Sequence, residues 1–227
     1  MKTQVIIAAA GAGTRLKAKS PKPLICFHRK PLLTYSLEVF EKCSLVDSVI
    51  VVAPKDCLNR FEKTIKDFQS KKKIYCVKGG KRRCDSVANG LKALDHDTQY
   101  VVVHDGARPF VTAEMLKRCI LAAQKYQAAI VAVPIKPTVK RVDARLLRVK
   151  ETLKRDELWE VQTPQAFERK VLVKAYARLN VQTPTDDAKL VEALGIRPKV
   201  VFGSYQNIKI TTSEDLAFAK FLLTKGK

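Results

Sequence analysis

The residues best suited to chemistry stand where short apolar runs stop. The first run, at residues 4–9, leads into Ala10-Gly11-Ala12-Gly13-Thr14-Arg15-Leu16 and then Ser20-Pro21-Lys22-Pro23. Small residues let backbone N–H groups approach a phosphate or a base closely. Arg15 and Lys22 add positive charge for anionic oxygens. No Gly-Lys-Ser/Thr ends this loop, and the third glycine of the dinucleotide fingerprint is missing. After a later run comes Gly79-Gly80-Lys81-Arg82-Arg83-Cys84-Asp85-Ser86. It reads either as an anion- or base-sized niche at a helix start, or as a tight turn with a solvated basic patch and two helix-capping residues. In Val103-His104-Asp105-Gly106-Ala107-Arg108, Asp105 stands at a strand tip. There it can face a metal ion or a ribose hydroxyl, or cap a turn and pair with Arg108. His104 reads as a turn residue rather than a catalyst. Glycine loops, cations and a carboxylate together suit phosphate chemistry, in which Mg²⁺ usually neutralises the oxygens under attack.

The elements that must position these loops alternate. Strand-like runs fall at 4–9, 48–53, 74–77, 99–104, 129–134 and 199–202. Helical periodicity falls at 31–43, 56–68, 84–94, 112–126, 168–179, 186–194 and 213–223, with Thr112 as an N-cap. The first strands are apolar on both faces, as in a parallel sheet covered by helices. The pattern predicts a doubly wound α/β fold whose ligands bind beyond the carboxyl ends of the strands. The rhythm breaks at 135–155, a segment with eight basic residues and two short β-like pieces, 139–142 and 146–150. A hairpin this polar cannot build its own core and is expected to project as an arm, covered by solvent or by a second copy of the chain. Residues 159–165 carry polar groups between apolar pieces, and 207–211 read as a short strand bearing Lys209. The expectation is one domain over 1–227 with 135–155 as its arm.

Composition narrows the partners. The 227 residues are 46% hydrophobic and 29% charged, enough for a real core and unlike a disordered chain. With 43 Lys and Arg against 22 Asp and Glu, the net charge is +21, and an anionic partner is expected. No apolar run approaches the roughly 20 residues of a membrane span, and residues 1–4 lack the shape of a signal peptide. The six cysteines form no CxxC pair and the three histidines no ligand cluster, so idle thiols in a reducing cytoplasm are expected rather than zinc or disulfides. Aromatic residues are 7% and do not interleave with the basic ones. Nucleic acid is therefore expected to bind only non-specifically, through charge.

In this order the segments AAAGAGTRL, SPK, GGKRRCDSV, HDGARPF, LWEVQTPQAF, TDDA and NIKITT resemble the 2-C-methyl-D-erythritol 4-phosphate cytidylyltransferases of the non-mevalonate isoprenoid pathway. The resemblance runs from Val5 to about Ala219. It implies a mostly parallel, Rossmann-like nucleotidyltransferase fold, with a projecting β-hairpin arm. It also implies transfer of CMP from CTP to methylerythritol 4-phosphate, with Mg²⁺ as cofactor. Arg15, Lys22 and Lys209 would be the catalytic cations around the triphosphate. Ala9, Ala10, Gly11, Gly13, Gly80, Ser86 and Asp105 would hold the nucleotide. Asp105 would also stand near Mg²⁺ and the acceptor. Arg108 and Thr163 would line the acceptor pocket, and Thr138 and Arg155 would reach the acceptor of the neighbouring subunit in a homodimer formed through the arm. Lys81 stands where the family commonly has an acidic residue, Pro23 follows Lys22, and Pro137 precedes Thr138. The nearest rival is a ribitol 5-phosphate cytidylyltransferase; a basic nucleic-acid-binding protein is the rival from another class.

Overall fold

The valine- and isoleucine-rich runs pair side by side. The computed structural model describes residues 1–11, 20–178 and 184–225. Its principal strands are β1 (Thr3–Ala8), β4 (Ser48–Ala53), β5 (Lys73–Lys78), β6 (Tyr100–Asp105), β7 (Ala128–Pro134), β10 (Trp159–Glu168) and β11 (Lys199–Phe202). They form a seven-stranded sheet in the order β11-β7-β10-β6-β1-β4-β5. All neighbours run parallel except β10, which is antiparallel to both β6 and β7. A two-residue hairpin, β2 (Cys26–Phe27) and β3 (Lys30–Pro31), stands apart from this sheet.

Successive side chains on a strand point to opposite faces, and both faces here are apolar. Val5, Ile7, Val49, Val51 and Val102 enter one core, with residues of α1 (Leu32–Lys42), α2 (Leu58–Phe68) and α4 (Ala113–Tyr126) such as Leu37, Phe40, Phe61 and Leu116. Ile6, Ile50, Val52, Val101 and Val103 enter the other. There they meet Val87 and Leu91 of α3 (Arg83–Lys92), Leu172 of α5 (Arg169–Ala177) and Val191 of α6 (Asp187–Glu192). This explains the absence of a polar phase in the runs at 48–53 and 99–104. The last helix, α7 (Ser213–Lys225), packs Ala219 with Leu32 and Ile210. Thr112 caps α4 as expected, its hydroxyl accepting from the Met115 amide at 3.2 Å.

Three segments depart from their expected secondary structure. Residues 159–168 form the strand β10, in the middle of the sheet, so the following helix begins at Arg169. The pairing of β10 with β7 slips between Val161 and Gln165, beside Pro164, which has no N–H for the ladder. Residues 207–211 form no strand. Instead the Ile210 amide donates to the Ala107 carbonyl at 2.9 Å and the carbonyls of Ile210 and Thr211 accept from Lys22 Nζ at 3.3 and 3.0 Å. Within 135–155 the strands are β8 (Lys140–Val142) and β9 (Val149–Thr152); β9 starts three residues later than expected. The two pair only with each other and are exposed throughout.

His104 lies fully buried near the end of β6, and its ring is fixed from both sides. Nε2 is 3.0 Å from the Arg108 carbonyl, which can only accept, so Nε2 carries the hydrogen. Nδ1 then accepts from the Thr163 hydroxyl at 3.1 Å, and that oxygen accepts from the Asp105 amide at 3.0 Å. The edge of Phe40 closes the niche at 5.3 Å. His104 is therefore a buried structural group, not the turn residue expected. Burial pushes its pKa down from 6.5 to about 4. An unfolded chain takes up this proton near pH 6.5 and the folded one does not. The stabilisation is thus complete above pH 6.5 and lost as pH falls towards 4. We predict that unfolding free energy falls by about 2 kcal/mol between pH 6.5 and 5 through this group. Denaturant unfolding across that window should show a slope that His104→Gln abolishes; parallel profiles for the two proteins would rule the assignment out.

Candidate active site

Four loops meet beyond one edge of the sheet. The ends of β1, β5 and β6 and the segment 207–211 enclose a cavity of about 690 Å³, within the range of small-molecule sites. Ala9, Ala10, Gly11, Lys22, Gly80, Ser86, Asp105 and Lys209, all expected at a nucleotide site, line it. The glycines make this possible. A Cβ on Gly79 would stand 2.3 Å from Ala10 Cβ, and one on Gly80 2.4 Å from Asp85 Cβ. Only bare backbone lets the two turns touch. Ser86 locks the second turn, its hydroxyl donating to the Arg82 carbonyl and accepting from the Gly80 amide, each at 3.1 Å. Asp85 accepts from the Arg82 amide at 3.0 Å and caps α3, as the blander sequence reading held. Gly13 and Arg15 lie outside the described residues.

A second cavity of about 260 Å³ adjoins the first, lined by Arg108, Thr163, Gln162, Gln165, Thr185 and Asp186, among others. Arg83, Asp105 and Lys209 line both cavities. The expected acceptor residues Arg108 and Thr163 are therefore next to the nucleotide-sized space and separated from it by charged side chains. Thr138 and Arg155 are not brought to either cavity. Both are exposed, and Arg155 donates to the Lys136 carbonyl at 3.1 Å.

Electrostatics at the junction centre on Asp105, which is 6% exposed. Its Oδ1 accepts from Arg83 Nε at 3.0 Å; its Oδ2 pairs with Lys209 Nζ at 2.8 Å and Arg108 Nε at 3.7 Å. Burial alone would raise its pKa. Arg83, Lys209 and Arg108 more than offset this and hold it well below the usual carboxylate range. Arg108 is itself buried, which lowers its pKa, and is clamped by the carbonyls of Asn207 at 2.7 Å and Val161 at 3.4 Å. Asn207 in turn donates to the Thr163 carbonyl at 2.9 Å, which ties the Lys209 segment to β10.

Sequence reasoning missed Arg83. It stands third in Lys81-Arg82-Arg83, and nothing in the run separates it from its neighbours. In the fold Lys81 is exposed and Arg82 pairs with Asp85 at 2.8 Å. Arg83 alone turns inward, to Asp105 and to Asp187. Placement at the first residue of a helix that follows a glycine turn was the one available signal.

The family model for 2-C-methyl-D-erythritol 4-phosphate cytidylyltransferase (IspD) matches residues 3–225. A protein of that name from Alkaliphilus metalliredigens is 43% identical over all of this chain and 95% of its own length. Another, from Halalkalibacterium halodurans, is 42% identical over 99% of this chain and 98% of its own. The crystal structure of 4-diphosphocytidyl-2C-methyl-D-erythritol synthase from Anaerococcus prevotii superposes with a TM-score of 0.87 at 35% identity, covering 98% of this chain and 96% of that one. With its sheet, its cavities and these likenesses extending over nearly every residue, the chain belongs to the 2-C-methyl-D-erythritol 4-phosphate cytidylyltransferase family.

Proposed function

We propose that this chain transfers CMP from CTP to 2-C-methyl-D-erythritol 4-phosphate. The products are 4-diphosphocytidyl-2-C-methyl-D-erythritol and pyrophosphate. The observation that carries the reading is the pair of adjoining cavities with Arg83, Asp105 and Lys209 between them. The larger takes the nucleotide, with its base and ribose against Ala9, Ala10, Gly11, Gly80 and Ser86; the smaller takes the acceptor, beside Arg108 and Thr163. A phosphate oxygen of the acceptor attacks the α-phosphorus, the bond to the bridging oxygen breaks, and pyrophosphate leaves with its electrons. The nucleophile is already ionised, so no general base is needed, and His104 has both ring nitrogens engaged elsewhere. Both reactants are polyanions. The protein's task is alignment and charge neutralisation, by Lys22, Lys209 and, in the Gly-rich loop, Arg15.

Mg²⁺ suits the donor set. Asp105 is the acidic side chain lining the larger cavity, and no group of three metal-ligating side chains occurs among the described residues. Mg²⁺ is commonly held by one or two carboxylates and the substrate's own phosphates. The substrate's phosphates would hold the ion, with Asp105, whose oxygens already meet Arg83, Arg108 and Lys209, standing near it, and the ion would neutralise phosphate oxygens.

The arm supports a homodimer. Val142, Leu146, Leu147 and Val149 on it are exposed apolar side chains, and a second copy would cover them while Thr138 and Arg155 reach that copy's acceptor. A cytoplasmic setting agrees with the free cysteines.

Pyrophosphate release with CTP should exceed that with ATP, GTP or UTP, and methylerythritol phosphate should give the higher kcat/KM against ribitol 5-phosphate. Equal use of all nucleotides, or preference for ribitol phosphate, would overturn the assignment. Lys22→Ala is expected to cost on the order of 3 kcal/mol in the transition state, lowering kcat far more than it raises KM for the acceptor; an unchanged kcat would remove Lys22 from the mechanism. Mixing the inactive Lys22→Ala and Arg155→Ala proteins should restore turnover, because a hybrid dimer rebuilds one intact site. No recovery on mixing would show that the arm serves no neighbouring site.

A further inference from the structure

Asp187 is completely buried and lines neither cavity. A buried carboxylate is costly unless paired, and an apolar residue of similar size usually serves stability as well or better. Its partners give it another purpose. Oδ1 accepts from the Tyr176 hydroxyl on α5 at 2.5 Å, and Oδ2 pairs with Arg83 Nη2 at 2.8 Å. Nε of the same guanidinium donates to Asp105 at 3.0 Å. A continuous chain, Tyr176–Asp187–Arg83–Asp105, thus runs from behind the sheet to the junction of the two cavities. Burial works against the charge on Arg83, but Asp187 and Asp105 more than offset it and keep the guanidinium protonated. The carboxylate itself is held in place. Asp186, the preceding residue, caps α6 by accepting from the Lys189 amide at 3.0 Å, and Gln165 of β10 grips the same turn, donating to Asp186 at 2.9 Å and accepting from the Ala188 amide at 3.2 Å.

We propose that Asp187 is a positioning residue for cytidylyl transfer: it fixes Arg83 between the cavities, where the guanidinium meets phosphate oxygens of both reactants. This rests on the functional reading above. With Asp187 neutral, Arg83 keeps Asp105 as its one carboxylate partner and is drawn into that pair, away from the path between the reactants. The cost falls on alignment in the transition state, not on holding the nucleotide.

Steady-state pyrophosphate release with CTP, Mg²⁺ and methylerythritol 4-phosphate, with melting temperatures, tests this on the wild type, Asp187→Asn, Tyr176→Phe, Arg83→Gln and the double variant Arg83→Gln/Asp187→Asn. A misplaced catalytic group costs on the order of 10²-fold. Asp187→Asn is expected to lower kcat towards that extent with KM for CTP little changed, and Tyr176→Phe to act in the same direction by a smaller factor. The double variant should be no slower than Arg83→Gln alone, because Asp187 acts through Arg83, and should melt higher than Arg83→Gln, which leaves a buried carboxylate unpaired. If Asp187→Asn does not fold, the neutral double variant and Tyr176→Phe still decide. A Tyr176→Phe protein with wild-type kcat, an Asp187→Asn protein that melts lower but keeps wild-type kcat, or losses that multiply in the double variant would reduce Asp187 to a structural role and overturn the proposal. A wild type without turnover would instead sink the functional reading itself.

Discussion

Everything at this site depends on one buried carboxylate holding three cations together. Arg83, Arg108 and Lys209 come from a helix start, a loop and an irregular segment, and they converge on Asp105 at the tip of β6. Unpaired, such charges repel one another and resist burial. Asp105 serves as the resident anion that lets them stand close. A phosphorylated substrate then arrives where the cations are already assembled, so little reorganisation is left for the moment of reaction.

The sheet supplies the rigidity this requires. β6 lies between β1 and β10, so Asp105 is held by neighbours on both sides. The His104–Thr163 bond fastens the same tip to β10, and Asn207 fastens the Lys209 segment to that strand as well. The hydroxyl of Thr163 accepts from the Asp105 amide and donates to His104. Its contribution beside the acceptor pocket is therefore first to hold the loop. The chain's large positive charge acts at longer range, drawing anions towards the surface; it is the few paired cations at the junction that sort out which anions react.

Much of this was legible in the sequence. The runs at 48–53 and 99–104 read as doubly buried strands because each side chain has a core to enter, and the glycine turn after β5 reads as a close-approach loop because no Cβ fits at Gly79 or Gly80. What stayed hidden depended on distant partners. β10 carries Gln162, Thr163, Pro164 and Gln165 in its middle, which contradicts a central strand by local rules; its polar groups are satisfied by His104, Asp186 and Ser204, far away in sequence. Residues 207–211 alternate like a strand, yet the carbonyls of Ile210 and Thr211 go to Lys22, that of Asn207 goes to Arg108, and no strand pairs with them. Arg83 was indistinguishable from Lys81 and Arg82 until Asp105 and Asp187 were seen on either side of it.

The position of a bound nucleotide is the most direct test of this site. A crystal structure with CTP should place the triphosphate within hydrogen-bonding distance of Lys22 and Lys209, with the cytosine against the backbone of Ala9, Ala10 and Gly80. A nucleotide bound away from the β1 and β5 turns, or Lys22 and Lys209 directed to separate regions of the surface, would contradict it.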